Sequence, residues 1–456
     1  MKPHPLFSRD FTLMVIGQII SLFGNAILRF ALSLHVLETT GSAAAFGGIS
    51  ALAMVPALIF GPLGGVLADR APRQRIMWGL DFLTAALVLG YILLFPGGGP
   101  LWAVGAVMVL LSAIQAVYQP AVQASVPLLA PAERLAAANG TVSQVQALAN
   151  LLGPILGGAL YTWAGLEPLL AVGGACFFGS AVMELFLRIP FARRAGGGSP
   201  FATAARDLAE AGRFLTRERP ALAALAALAA LVNLTLSALL VVGLPYLVNV
   251  ALALTPLHYS FAEAALSLGS VLGGVLAGPV LARRGVERRL LAEGTLPLLP
   301  LAAVLAMGLP APLAYGAALG AVGMAAACAV LFTVAAMTAL QRLVPPHLLG
   351  KAAAFLAALS TCAMPLGQGL YGLLFDALPC WAVFLLGGGL SLAAALAAGP
   401  VMGRLAGPDG AENGPGGSGT RPCDGQRGGP CGVAGRLDGA GADGYTRGSL
   451  ETREGS

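Results

Sequence analysis

The chain has 456 residues, of which 57% are hydrophobic and 10% charged, with a mean hydropathy of +0.81; a soluble domain is typically about 25% charged. That balance excludes a soluble globular enzyme and indicates a polytopic membrane protein. The net charge of +5 does not imply a nucleic-acid partner, because the arginines sit in short segments between apolar runs, where they set topology.

The N-terminus, MKPHPLFSRD, runs into an apolar segment longer than a signal-peptide core, with no small-residue cleavage site on schedule, and reads as a retained first membrane helix. Apolar runs able to cross a hydrocarbon core about 30 Å thick are predicted near residues 11–37, 43–67, 76–95, 101–126, 139–163 and 167–189. A second set follows near 220–245, 258–282, 290–308, 312–338, 349–376 and 379–402. The expectation is an all-α membrane protein of about twelve helices, with six-helix bundles over 1–195 and 220–402. Turn chemistry punctuates the joints at Pro96-Gly97-Gly98-Gly99-Pro100, at Pro310-Ala311-Pro312 and from Asp376 to Pro379.

Between the bundles, 196–219 is predicted to form a cytoplasmic amphipathic linker helix. Ser199-Pro200 supplies its start, Phe201, Ala204, Leu208, Ala211 and Leu215 form one face, and Arg206, Asp207, Glu210, Arg213 and Arg217 the other. Such a helix is expected to lie on the membrane surface. The tail, 403–456, is Gly-rich without apolar periodicity and is expected to be disordered and cytoplasmic.

The loops alternate in charge. One set carries Arg70, Arg73 and Arg75; Arg134; a run from Arg188 to Arg219; Arg283, Arg284, Arg288 and Arg289; and Arg342 with Lys351. The other set, around Thr39-Thr40-Gly41, Gly97, Gly165-Leu166-Glu167, Ala253, Pro310 and Leu378, has no Lys or Arg. The positive-inside rule makes the first set cytoplasmic and, with an even number of spans, both termini as well. The halves also repeat weakly: GGVLADRAPRQR (Gly64 to Arg75) aligns with GPVLARRGVERR (Gly278 to Arg289), and VQASVP (Val122 to Pro127) with LQRLVP (Leu340 to Pro345). Repeats at matching positions suggest duplicated bundles with a substrate path at their interface.

No catalytic constellation is present. Four histidines, His4, His35, His258 and His347, lie apart near loops or termini. Cys176, Cys328, Cys362, Cys380, Cys423 and Cys431 form no CxxC or Cys/His cluster, so neither a disulfide scaffold nor a structural metal is expected. No P-loop or Rossmann glycine pattern follows a strand, so no cofactor is expected and any transport would run on a gradient.

Gly65-Val66-Leu67-Ala68-Asp69-Arg70-Ala71-Pro72-Arg73-Gln74-Arg75 ends a helix with an acid and continues into a basic loop. It resembles motif A of the major facilitator superfamily, matching at Gly65, Leu67, Ala68, Asp69, Arg70, Arg73 and Arg75 and departing at Pro72 and Gln74. The resemblance implies two pseudo-symmetric bundles and a cytoplasmic latch between them, in which an acid pairs with Arg or sits at a facing helix N-terminus. In the fifth span Gly140, Ala149, Gly153, Pro154 and Gly157 follow G-x8-G-x3-G-P-x2-G with Ala149 at the second glycine. That spacing resembles motif C of the drug:proton antiporters, which implies export. Packing alone is the plainer reading of such small residues.

Polar residues inside spans usually face a cavity or a partner. Gln18, Asn25 and Arg29 share a face of the first helix; Gln115, Tyr118, Gln119 and Gln123 recur on the fourth; Gln146 and Asn150 stand one turn apart on the fifth; Asn233 and Ser237 mark the seventh. They are candidates to line a substrate path, with interhelical packing bonds as the bland alternative. Relatives in the efflux branch often have Asp where Asn25 stands, and an Asn cannot titrate. Asp81 and Glu263 are the remaining acids available to carry protons.

ISLFGNAILRFALSLHVLETTGSAAAFG, GGVLADR and PAVQASVPLLAPAERLAAANG resemble the bacterial efflux branch of the superfamily, which includes macrolide exporters and the enterobactin exporter; the likeness extends over 9–402. It implies a proton-coupled exporter of a small amphipathic or hydrophobic compound in the bacterial inner membrane, with lipid, protons and a small-molecule substrate as partners. A monomer is expected, since two bundles complete a pathway. An uptake system or uniporter, and a sensor signalling through the tail, are the alternatives.

Overall fold

The computed structural model describes residues 7–190, 200–281, 293 and 295–406. The predicted tail from 407 onward, the arginines at 193, 194, 283, 284, 288 and 289, and the start of the linker at 196–199 lie outside the described residues.

All the regular structure described is helical. In chain order the helices are α1 (Arg9–Thr40), α2 (Ala43–Arg70), α3 (Arg73–Leu94), α4 (Leu101–Leu129), α5 (Leu135–Ala164), α6 (Leu166–Leu185), α7 (Pro200–Arg217), α8 (Pro220–Ala251), α9 (Pro256–Leu281), α10 (Leu298–Ala306), α11 (Ala311–Leu343), α12 (Pro346–Ala377) and α13 (Cys380–Ala406). Ten are long and apolar enough to cross a membrane by length and composition. Of the other two expected spans, α5 has 30 residues but carries Gln144, Gln146 and Asn150, which lower its hydropathy. The other is described only over Leu298–Ala306.

Local chemistry sets the boundaries. Ser8 accepts a hydrogen bond from the Phe11 N–H at 3.2 Å to begin α1, and Gly41 ends it in the left-handed region at φ 61°. The Pro96–Gly99 turn uses three positive-φ glycines; at Gly98 a side chain would also collide with the ring of His35. α8 carries two π-helical turns, Asn233–Ser237 and Leu247–Ala251. There Asn233 and Asn249 donate to the carbonyls of Ala229 and Pro245 at 3.0 and 2.9 Å, meeting acceptors that the widened turns release.

Helices α1–α6 form one bundle and α8–α13 the other. In the first, α1 packs on α5 and α6, α2 on α4, and α3 on α6. In the second, α9 packs on α11, α10 on α13, and α12 on α8. Between bundles, α2 runs along α12 and α5 along α9. Outward-facing side chains such as Leu94 and Val275 are 74% and 71% exposed, as suits a surface solvated by lipid. Trp102, Trp163 and Trp381 are exposed at the arginine-free end, where indole rings suit a membrane interface.

The linker differs from the expectation of a surface-lying helix. The described part of its apolar face is docked on protein: Ala211 and Leu215 are each 1% exposed, α7 packs on α12, and the Phe355 ring lies against Gly212. On α12, Lys351 Nζ pairs with Asp207 at 3.0 Å and Glu210 at 2.7 Å. The first turns of α12 supply a ready apolar partner surface, so α7 buries its face there and not in the headgroups.

Candidate functional site

A cavity of about 510 Å³ lies between the bundles, lined by α1, α2, α4 and α5 on one side and α8, α9 and α12 on the other. Met54, Met108, Met364, Phe30 and Tyr259 form much of its apolar wall. Its polar groups include Asn25, Arg29, Gln146, Asn150, Glu263 and Gln368. An Arg29 NH1 group donates to Ser112 Oγ at 2.9 Å, and Gln146 Nε2 to Asn150 Oδ1 at 3.2 Å. Arg29 and Glu263 project from facing bundles without forming an ion pair with each other. Asn25 Oδ1 and Gln368 Oε1 are buried with no hydrogen-bond partner, which leaves acceptors available to a bound solute.

The arginine-free end of this cavity is closed. Phe30 of α1 stacks on Tyr259 of α9, with ring centroids 5.1 Å apart and planes at 16°, an offset-stacked geometry favourable by about 0.5–1.5 kcal/mol. The Tyr259 hydroxyl donates to Glu263 Oε1 at 2.7 Å, so the closing ring is tied to the cavity's carboxylate. Nearer the end, Asp376 of α12 accepts from Ser42 Oγ at 2.5 Å, from the Ala43 N–H at 2.7 Å and from the Ala44 N–H at 3.2 Å. A carboxylate from one bundle thereby caps the N-terminus of α2 in the other, where unpaired N–H groups and the helix dipole favour negative charge. The helices approach closely: a Cβ on Gly372 would stand 2.7 Å from Ala43 O and 2.9 Å from Ala44 Cα. Between α5 and α9, Gly158 lies against Ser260 and Pro256.

The motif C positions divide. A Cβ at Gly153 would clash with Ala26 and one at Gly157 would stand 3.1 Å from Phe30, so both hold α5 against α1 directly behind the closing ring. Pro154 lines the cavity. Gly140 has open space beside it. At motif A, Arg73 donates through Nε to Ala68 O and through NH1 to Ala124 O, both at 2.9 Å, and this ties the loop to the end of α4. Arg70 and Arg75 are exposed. Gly65 and Asp69 fall outside the residues whose surroundings are described.

A second polar group lies inside the first bundle. Tyr118 OH donates to Glu184 Oε1 at 2.6 Å, with Gln18 beside Tyr118 and Asp81 flanked by Ser21 and Ser180. Gln18, Asp81, Tyr118 and Glu184 are each 2% exposed or less, so Gln18, Tyr118 and Asp81 belong to this cluster and do not line the cavity. Nor do Gln115, Gln119 and Asn233; Gln115 Oε1 is buried without a partner, and Asn233 bonds its own helix.

Sequence reasoning did not single out Glu184, Asp376, Gln368 or the Phe30–Tyr259 pair. Glu184 stands next to the arginine-rich loop and reads as an interfacial acid, and Asp376 reads as turn punctuation. A Phe and a Tyr in apolar runs carry no signal of partnership between bundles.

Residues 14–331 match the Major Facilitator Superfamily. The chain is 28% identical over 397 residues to macrolide efflux protein A of Streptococcus pyogenes, covering 83% of this chain and 93% of that protein. It is 27% identical over 286 residues to the lysophospholipid transporter LplT of Enterobacter sp. (strain 638), covering 62% and 69%. Among solved structures, a bacterial homolog of the human lysosomal transporter Spinster, in an inward-facing and unoccupied conformation, superposes with a TM-score of 0.64 at 16% identity, covering 91% of this chain and 99% of that one. Two six-helix bundles around a central cavity, with a match over most of the chain, place it in the Major Facilitator Superfamily, as a multi-pass membrane transporter of small molecules and not an enzyme.

Proposed function

We propose that this transporter is a proton-coupled exporter of small amphipathic or hydrophobic compounds, working as a monomer in the bacterial inner membrane. The observation that carries the reading is the placement of Arg29 and Glu263 in the lining of one largely apolar cavity, on opposite bundles. A guanidinium and a carboxylate on opposite bundles suit an amphipathic cargo whose polar group meets one of them while its apolar body lies on the methionines and aromatic rings. Glu263 also holds the Tyr259 hydroxyl. A proton or a cationic cargo group arriving at Glu263 competes for that bond and loosens the Phe30–Tyr259 closure, and this links occupancy to gate opening.

The arginine-bearing end is cytoplasmic by the positive-inside rule, so the closed end faces outward and cargo enters from inside. The name of the Streptococcus pyogenes relative and the motif C spacing support export and a macrolide-like cargo. Asp69, Arg70, Arg73 and Arg75 would latch the cytoplasmic side once the outer side opens. A second reading, a zwitterionic amphiphile such as a lysophospholipid, is favoured by Arg29, which would take the phosphate, and by the LplT relative.

Accumulation of a panel of fluorescent dyes and macrolides in efflux-deficient cells tests this. Expression should lower accumulation and a protonophore should restore it. Accumulation unaffected by expression would remove macrolides and dyes as cargo, and lowered accumulation insensitive to the protonophore would remove proton coupling.

A further inference from the structure

The group inside the first bundle has no part in the cavity. Asp81 comes from α3, Glu184 from α6, Tyr118 from α4, and Gln18 and Ser21 from α1, so four helices converge on two carboxyl groups that are 1% and 0% exposed. Glu184 Oε1 is taken by Tyr118. Glu184 Oε2 and Asp81 Oδ2 are both buried without a hydrogen-bond partner.

The two acids interact with each other. Among the described residues, the other groups acting on them are Tyr118, Ser21 and Ser180, with no Arg or Lys. In the basic loops, Arg73 donates to the carbonyls of Ala68 and Ala124, and Arg188, one turn beyond Glu184, is exposed. Two carboxylates in a dry bundle with no cation beside them repel each other and lose hydration together. A proton on one supplies a donor for the other's open oxygen, ends the repulsion, and leaves a single buried charge shared by the pair in place of two.

We propose that Asp81 and Glu184 form a proton-binding pair inside the first bundle, separate from the cargo cavity, with the Tyr118 hydroxyl fixing which oxygen of Glu184 remains open. The pair is placed to report its occupancy to the cavity. On α1, Ser21 lies one turn from Asn25, and on α4, Tyr118 lies within two turns of Ser112, the partner of Arg29. Gain or loss of the proton shifts the hydrogen bonds that hold α1 and α4 against α3 and α6, and so shifts Asn25 and Arg29. This deepens the exporter reading by giving the driving ion a site distinct from Glu263; proton binding itself does not depend on the cargo.

The test is infrared difference spectroscopy of the purified full-length protein in lipid nanodiscs, between alkaline and neutral buffer, in sodium and in choline salts. A carboxylic C=O band is expected to appear on acidification in the wild type, to be lost or halved in Asp81→Asn and in Glu184→Gln, and to persist in Glu263→Gln. Tyr118→Phe, which keeps the ring, should shift the band's frequency without abolishing it, and it serves where a carboxyl variant does not fold. A band unchanged in Asp81→Asn, Glu184→Gln and Tyr118→Phe would overturn the proposal. So would a cluster signal that follows sodium and not pH, which would make it an alkali-cation site. Erythromycin uptake into proteoliposomes then separates the two claims. Loss of pH-driven accumulation with retained exchange in Glu184→Gln supports coupling through the pair. A wild type indifferent to the pH gradient defeats the proton-driven exporter while leaving the infrared result standing.

Discussion

Asp376, in the last turn of α12, accepts a 2.7 Å hydrogen bond from the Ala43 N–H in the first turn of α2, so a carboxylate of the second bundle caps a helix of the first. The cap stabilises the state in which the arginine-free ends of α2 and α12 meet, one of the two states between which a transporter rocks.

Asp376→Ala removes an acceptor shared by two backbone N–H groups and the Ser42 hydroxyl. Loss of such a cap costs about 0.5–2 kcal/mol, and 1–2 kcal/mol shifts a two-state population by about 5–30-fold. The variant is expected to favour the outward-open state. Spin-label distances across the outer ends of α2 and α12 should lengthen; an unchanged distribution would show that the cap is incidental.

Gly372→Val tests closure sterically. Even a Cβ there would press on Ala43 O and Ala44 Cα, which are backbone atoms that move only with their helix. The expected result is a protein that inserts normally and cannot close its outer side, with transport lost and outer-end distances at the open value. Normal transport would refute tight α2–α12 contact as part of the cycle.

Within the first bundle, Gly153→Val forces a side chain onto Ala26. Overpacking of this kind costs about 1–3 kcal/mol, so a lower melting temperature in detergent is expected, together with weaker transport because Ala26 and Pro154 both line the cavity. Gly140→Val meets no neighbour and should leave stability unchanged. Equal effects at the two positions would mean that the motif works as a general helix property and not through this one contact.

The motif residues show how far the amino-acid pattern reaches. Gly153, Pro154 and Gly157 are legible because small residues at helical spacing mark close approach whatever the partner. Asn25, Arg29, Gln146 and Asn150 are legible as polar groups in apolar helices, and all four reach the cavity. Gln18 and Tyr118 carry the same signal but face the bundle interior, because polarity on a helix does not say which neighbour it meets. Asp376 and Glu184 were hidden for another reason: their meaning comes from partners far away in sequence, and a single acid near a helix end looks like interfacial punctuation. The apolar face of α7 was visible, whereas the choice between lipid and α12 was a matter of tertiary geometry.

Docking of α7 rests on buried Ala211 and Leu215 more than on the exposed Lys351 pairs, since surface ion pairs are screened by water and salt. Lys351→Ala is therefore expected to leave stability nearly unchanged, while Leu215→Asp should undock the helix. Hydrogen exchange across 200–217 reads the difference: fast exchange in Leu215→Asp alone agrees, and fast exchange in Lys351→Ala would assign the docking to charge.

Glu263→Gln keeps the size of the side chain but cannot carry a charge, while an amide oxygen still accepts from Tyr259. Uptake energised by a pH gradient should fall more steeply than passive exchange, and selectivity should shift away from cationic cargo. Equal loss of both activities would give Glu263 a structural role.

The most direct measurement is simultaneous recording of cargo and internal pH in proteoliposomes that carry the purified protein and a trapped pH-sensitive dye. Addition of a macrolide should drive proton movement opposite to the cargo, abolished by a protonophore and absent from protein-free liposomes. Macrolide movement with no change in internal pH would contradict proton-coupled export.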